Sequence, residues 1–276
     1  MKRSWFASPY AVWMLLFTIA PMIFVVIYAL TDSTGIFTME NLMSVGGAVY
    51  MKVLWRSMYL ALACTAICLL LGYPTAYFLA SKEFSKNQTL FVLILLPMWM
   101  NFLLRTYAMM SLMEDNGIIN TFLKSIGLQP LKMIGTEGAV LVGMVYNYLP
   151  FMVLPIYVSI EQLDHRLLEA ASDLGASPFT AFRKITLPLT MPGIAAGTIL
   201  VFISSLGMFV VPDVMGGAKS ALIGNLIQNQ FLSARDWPFG GALSIVLALL
   251  SLVLIVLYYK ALSAQQGGGK NAEDMA

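Results

Sequence analysis

Apolar residues along this 276-residue chain fall in long blocks separated by short polar connections. Six blocks reach the roughly 20 residues that a helix needs to cross a bilayer core. They predict membrane-spanning helices over residues 10–30, 57–80, 90–110, 139–160, 192–212 and 239–259. Lys2 and Arg3 precede the first block as they would in a secretory signal. Its apolar stretch is longer than a signal core and no small-residue cleavage site closes it, so it reads as a retained helix. Residues 1–9 read as an N-terminal extension, 10–260 as one six-span domain, and 261–276, with Gly267-Gly268-Gly269, as a disordered tail.

Composition strengthens this picture. Charged residues make up 11% of the chain and apolar ones 59%, against roughly 25% charge in soluble domains. All 14 carboxylates fall outside the six blocks, and Arg105 is the one charged side chain within them. A bundle without internal Asp, Glu or His lacks the relay that a proton-driven pump needs. Nine Lys and Arg lie in the connections on the side of the termini and six on the other, which predicts cytoplasmic termini. The net charge of +2 and the absence of a basic cluster argue against nucleic acid as a partner. Cys64 and Cys68, four apart in one block, read as buried thiols, and the single His165 has no metal-ligating neighbours in sequence.

Prolines 21, 74, 97, 150, 155 and 192 lie in or at the ends of the spans, where they either shape packing or break helices beside a path. Gly193, Gly197 and Gly207 offer small surfaces for close helix approach in the fifth span. No phosphate-binding loop, HExxH, GxSxG or CxxC occurs. If ATP drives this protein, the nucleotide and its magnesium sit on another polypeptide, and a docking surface for that polypeptide is then required.

The connection 161–191 has the character of such a surface. Asp164 predicts the cap of a short helix carrying a Leu167, Ala171 and Leu174 stripe, and Gly175 predicts its left-handed stop. Ser177 and Pro178 start a second short helix bearing Phe179, Phe182 and Ile185, with Pro188 at its end. These helices either present little side-chain bulk to a protein partner or lie on the lipid surface.

Glu169-Ala170-Ala171, Gly175 with nine residues between it and Ile185, and Ile185-Thr186-Leu187-Pro188 together resemble the EAA loop of permease subunits in bacterial ABC importers of the binding-protein-dependent class. Residue type, spacing and position before the penultimate span agree. Further similar pieces are Leu71-Gly72-Tyr73-Pro74, Pro97-Met98-Trp99 with Arg105 and Tyr107, Tyr148-Leu149-Pro150, and Asp213 to Lys219. The resemblance implies the six-helix, MetI-like type I permease fold in a bacterial inner membrane. It also implies a homologous second permease, two ATPase subunits and a periplasmic binding protein as partners, no catalysis by this chain, and a polyamine as cargo. Glu169, Ala170, Ala171, Gly175, Ile185 and Pro188 would form the ATPase-coupling element.

A polyamine path needs aromatic faces or carboxylates at its mouth. Trp99, Tyr107, Tyr146, Tyr148, Phe151, Phe209 and Asp213 are the candidates, with Glu114 and Asp115 near the outer end of the third span; most of the aromatics also suit packing or an interfacial belt. Arg105 would repel a cation, so a structural role paired with an outer carboxylate or a helix-end carbonyl is expected. For an anionic solute the same Arg would be the leading ligand. An importer of another small solute such as an amino acid derivative, a secondary transporter and a structural membrane protein remain as alternatives.

Overall fold

The computed structural model describes residues 8–32, 34–81, 88–217 and 220–273. Lys2, Arg3, Lys82, Lys86 and Lys219, which enter the charge asymmetry, lie outside these residues, as do Ala218 and the chain end 274–276.

The described residues are predominantly helical, as a bilayer requires of backbone that must satisfy its own hydrogen bonds. In chain order come α1 (Ser8–Met14), a π-helical turn (Leu15–Ile19), α2 (Ala20–Ala29), α3 (Glu40–Val45), α4 (Ala48–Leu79), α5 (Gln88–Trp99), α6 (Phe102–Met113) and α7 (Ile118–Ser125). Then follow α8 (Glu137–Glu161), α9 (His165–Asp173), α10 (Pro178–Ala181), a π-helical turn (Phe182–Thr186), α11 (Leu187–Leu189) and α12 (Met191–Leu206). A π-helical turn (Pro212–Gly216), α13 (Ile223–Asn229), another π-helical turn (Gln230–Ala234) and α14 (Trp237–Glu273) complete the order.

Four helical segments, Val12–Ala29, Ala48–Leu79, Glu137–Glu161 and Trp237–Lys260, are long and apolar enough to cross a membrane unbroken. Two bent pairs bring the number to six when each is one span. The third expected span, 90–110, is one of these. Its helix stops at Trp99 and restarts at Phe102, with the two parts bent by 104°. Asn101 makes the restart possible, because its side-chain oxygen accepts hydrogen bonds from Leu103 and Leu104 N–H at 2.9 and 3.4 Å. The fifth, 192–212, is shorter than expected: α12 ends at Leu206, and it meets the Pro178–Leu189 helix at 61°. Pro74, Pro150 and Pro155 sit inside helices that continue through them, whereas Pro97 lies just before the break at residues 100–101 and Pro192 just after the bend at Thr190. The last helix, α14, runs on through the three glycines to Glu273. Once a span is formed each further residue adds one backbone bond without a new nucleus.

The chain packs as two compact units. Residues 1–56 with 222–276 make the first. There Ala29, Val45, Ile223, Phe239, Ala242 and Leu243 form the core, and Gly241 brings α14 so close to α2 that an added methyl would lie 3.0 Å from the Val25 carbonyl.

Residues 57–221 make the second unit, which carries every candidate site residue. Its centre is α8 against α12. Lipid tails are as apolar as leucine, so such helices are held by close van der Waals contact rather than by exclusion of water. Gly193 and Gly197 supply that contact: methyl groups on them would meet Pro155 and Ser159, and Met152, respectively. Gly143 does the same against Val211 and Met215. Cys64 and Cys68 are buried free thiols with their sulfurs 4.0 Å apart, as expected.

Candidate functional site

The connection after α8 folds locally as its sequence dictates. The Asp164 carboxylate accepts the Arg166 N–H at 3.0 Å and starts α9. Gly175, at φ 78°, stops it. Ala176 N–H donates to the Ala171 carbonyl and Gly175 N–H to the Ser172 carbonyl, both at 2.9 Å, which is the paired pattern of a Schellman stop. The Ser177 hydroxyl accepts the Thr180 N–H at 3.3 Å and opens α10.

Which face of α9 turns inward differs from the expected stripe. Ala171 is buried and Leu168 half-buried, whereas Leu167 and Leu174 are exposed, Leu174 to 88%. Leu167, Ala170 and Leu174, at i, i+3 and i+7, therefore form an outward apolar face, with exposed Glu169 at its flank and Phe179 71% exposed beyond the turn. Pro188 does not end the second helix. The π-helical turn carries it into α11, and the chain bends at Thr190 instead. Ile185 is half-buried and Pro188 exposed.

Several residues that hold this connection in place are not foreseen from spacing. Phe182 stands edge-on to Tyr73 and Tyr77 of α4, with ring centroids 5.7 and 5.6 Å away. The Tyr73 and Thr190 hydroxyl oxygens are 3.1 Å apart, and both residues are buried. Tyr73 and Tyr77 are four apart on a helix and so share a face. That pairing is the signal that could have marked them.

The path candidates separate into two kinds. Tyr148 is tied into packing: its hydroxyl donates to the Ser204 carbonyl at 2.8 Å, and its ring lies edge-on to Phe151. Trp99, Tyr107 and Phe209 are exposed to 80%, 53% and 39%. Tyr146 and Asp213 are also exposed. Glu114 and Asp115 are exposed just after α6. α6, which carries Tyr107 and Arg105, packs against the Pro212–Gly216 turn that carries Asp213. Arg105 is buried to 5% exposure, with its guanidinium carbon 5.7 Å from the Phe102 ring centroid. Its Nε and Nη1 have no hydrogen-bond partner among the described residues, so the expected pairing with a carboxylate or helix-end carbonyl is not formed there.

An all-helical membrane bundle with a capped, outward-facing short helix before its penultimate span defines the permease class. The chain belongs to the family described as binding-protein-dependent transport system inner membrane component, whose sequence model matches residues 69–265. It is 43% identical over 257 residues to the spermidine/putrescine transport system permease protein PotB of Haemophilus influenzae, covering 90% of each chain. With PotB of Escherichia coli K12 it is 42% identical, covering 90% of this chain and 94% of the relative. The inner membrane ABC transporter permease protein YdcU of the same organism is 32% identical over 80% of this chain and 74% of its own. Among solved structures, a bacterial ABC transporter involved in import of the acidic polysaccharide alginate has a TM-score of 0.76 at 18% identity, covering 95% of this chain and 96% of that one. The MetNI methionine ABC transporter gives 0.54 at 18% identity, over 78% and 93%. At that identity the likeness is one of fold, and the fold is the all-α ABC importer permease.

Proposed function

We propose that this chain is a permease subunit of an ATP-driven polyamine importer, carrying spermidine, putrescine or both into the cell. The near full-length likeness to the PotB permeases supports the cargo. The observation that carries the mechanism is the outward Leu167, Ala170 and Leu174 face of α9, ended by the Gly175 stop. A PotC-like second permease completes the path, two PotA-like ATPases bind ATP and magnesium, and a PotD-like periplasmic protein delivers the cargo. This chain itself performs no hydrolysis. One ATPase receives α9 in a groove, with Ala170 allowing close approach and Glu169 anchoring the rim. Closure of the ATPases displaces the loop, and the spans respond as rigid bodies that open first to the periplasm and then to the cytoplasm. Exposed Trp99, Tyr107 and Phe209 offer cation-attracting faces, and Asp213 draws the polyamine to the outer mouth.

Uptake by membranes containing the four partner proteins, with ATP inside and a panel of polyamines, amino acids and anions outside, tests this reading. Polyamine uptake alone is expected, and Asp213→Asn raises the half-saturating concentration without loss of assembly. Anion uptake would overturn the cargo assignment. A half-saturating concentration unchanged at low ionic strength would remove Asp213 from the path.

Both termini lie in the cytoplasm in this reading. Cysteine placed at Lys124 is expected to react with an impermeant maleimide from the periplasm, and cysteine at Ser177 only from the cytoplasm. Native Cys64 and Cys68 are buried and leave a low background. The reversed labelling pattern would overturn the orientation and, with it, the contact between α9 and an ATPase.

A further inference from the structure

The two halves of the 161–191 connection are held to the spans in different ways. Leu168 of α9 borders an open pocket of about 210 Å³ that it shares with Ile160 of α8, Tyr77 of α4 and Thr186. Across that open space Leu168 has few atoms through which to push on the ends of α4 and α8. The Phe182 to Thr190 half meets α4 directly. Its Phe182 ring abuts Tyr73 and Tyr77 at interplanar angles of 79° and 88°. The Thr190 hydroxyl donates to the Thr186 carbonyl at 2.8 Å, which spends its one hydrogen, so the Tyr73 hydroxyl must donate into the Thr190 oxygen.

The π-helical turn is what lets both contacts form. Thr190 lies eight positions after Phe182, and on an α-helix at 3.6 residues per turn they would point about 80° apart. One extra residue accommodated in a π turn reduces the effective separation to about seven, which brings the two within about 20° of the same face. The turn also occupies the Phe182 carbonyl with Leu187 N–H. Thr186 Oγ1, which would reach back to that carbonyl in an α-helix, has no partner among the described residues.

We infer that Phe182, Tyr73 and Thr190 form the joint through which displacement of α9 enters α4, so that the second span is driven by side-chain contact and not only through the covalent link to α12. The inference rests on the importer reading above. Coupling of this kind travels through packed rings and hydrogen bonds, and these three are positioning residues that touch no cargo.

The test uses the complete importer in liposomes, with ATP hydrolysis and polyamine uptake measured on the same preparation. Phe182→Ala is expected to leave ATPase association intact and hydrolysis within about twofold of wild type, while uptake per ATP falls roughly five- to tenfold. Tyr73→Phe keeps the ring and removes only the donor, so the ratio falls less. Phe182→Tyr, which preserves the edge contacts, restores it. A merely structural role would reduce the amount of complex, and hydrolysis and uptake in proportion. An uptake-to-hydrolysis ratio equal to wild type in both Phe182→Ala and Tyr73→Phe overturns the joint alone. Should Phe182→Ala fail to accumulate, the ratio in Tyr73→Phe decides. A wild-type complex without ATP-driven uptake overturns the importer reading and the joint with it.

Discussion

Gly175→Asp combined with Glu169→Lys is expected to abolish ATPase association and ATP-driven uptake while the protein still inserts in the membrane at wild-type level. Neither residue lies in a span, and both are exposed. Gly175 has φ 78°, a backbone region that costs a side-chain-bearing residue about 1 kcal/mol or more. A methyl added to it would meet no atom of this chain within 4 Å, so the chain itself has room for a side chain there. Two effects can then be separated by a series. Gly175→Asn, which tolerates the left-handed region, retains the Schellman stop, and any loss it causes measures a body pressing on that spot from outside. Gly175→Val adds the backbone penalty and frays the end of α9, tilting exposed Leu174 out of line with Leu167 and Ala170. Charge reversal at Glu169 adds repulsion at the flank of the same face. Quantitative pull-down from solubilised membranes, with uptake at matched protein levels, reads all of these. Normal association and uptake in the double variant would leave 161–191 as a surface connection and overturn the coupling assignment.

Gly193→Val is expected to have the largest effect on stability. Even one methyl there would lie 2.5 Å from the Pro155 carbonyl oxygen and collide with the Ser159 side chain. A side chain can rotate away, but the carbonyl belongs to the backbone of α8. Relief requires the two helices at the centre of the second unit to separate. Overpacking a filled interior costs about 1–3 kcal/mol and occasionally more, and a membrane interface held by close contact has no hydrophobic term to offset the loss. The matched control is Gly207→Ala at the end of the same helix, where an added methyl meets nothing within 4 Å and φ is −85°. The variant at Gly193 should show a much reduced membrane level and a lowered melting temperature in detergent, with Gly207→Ala close to wild type. Equal melting temperatures for Gly193→Val and wild type would refute the close approach of α8 and α12.

What the sequence by itself determined are the features whose physics is local or is imposed by the bilayer. Continuous apolar blocks of about 20 residues become helices because a helix satisfies its backbone within one segment in lipid, whereas the closed barrel that also does so takes shorter, alternating strands. The Asp164 and Ser177 caps and the Gly175 stop involve donors and acceptors no more than five residues apart, and each forms where its residue type predicts. Tertiary structure decided what depends on distant neighbours. Pro97 and Pro150 are alike in sequence, yet only the helix containing Pro97 breaks nearby, because Asn101 is there to cap the restart. Leu167 and Leu168 are both apolar, and it is Leu168 that turns toward the pocket shared with the ends of α4 and α8. Among the aromatics, partners on other elements assign Tyr148 to Ser204 and Phe182 to the α4 tyrosines. Tyr73 and Thr190 meet across 117 residues of sequence, a separation over which neither periodicity nor capping carries information.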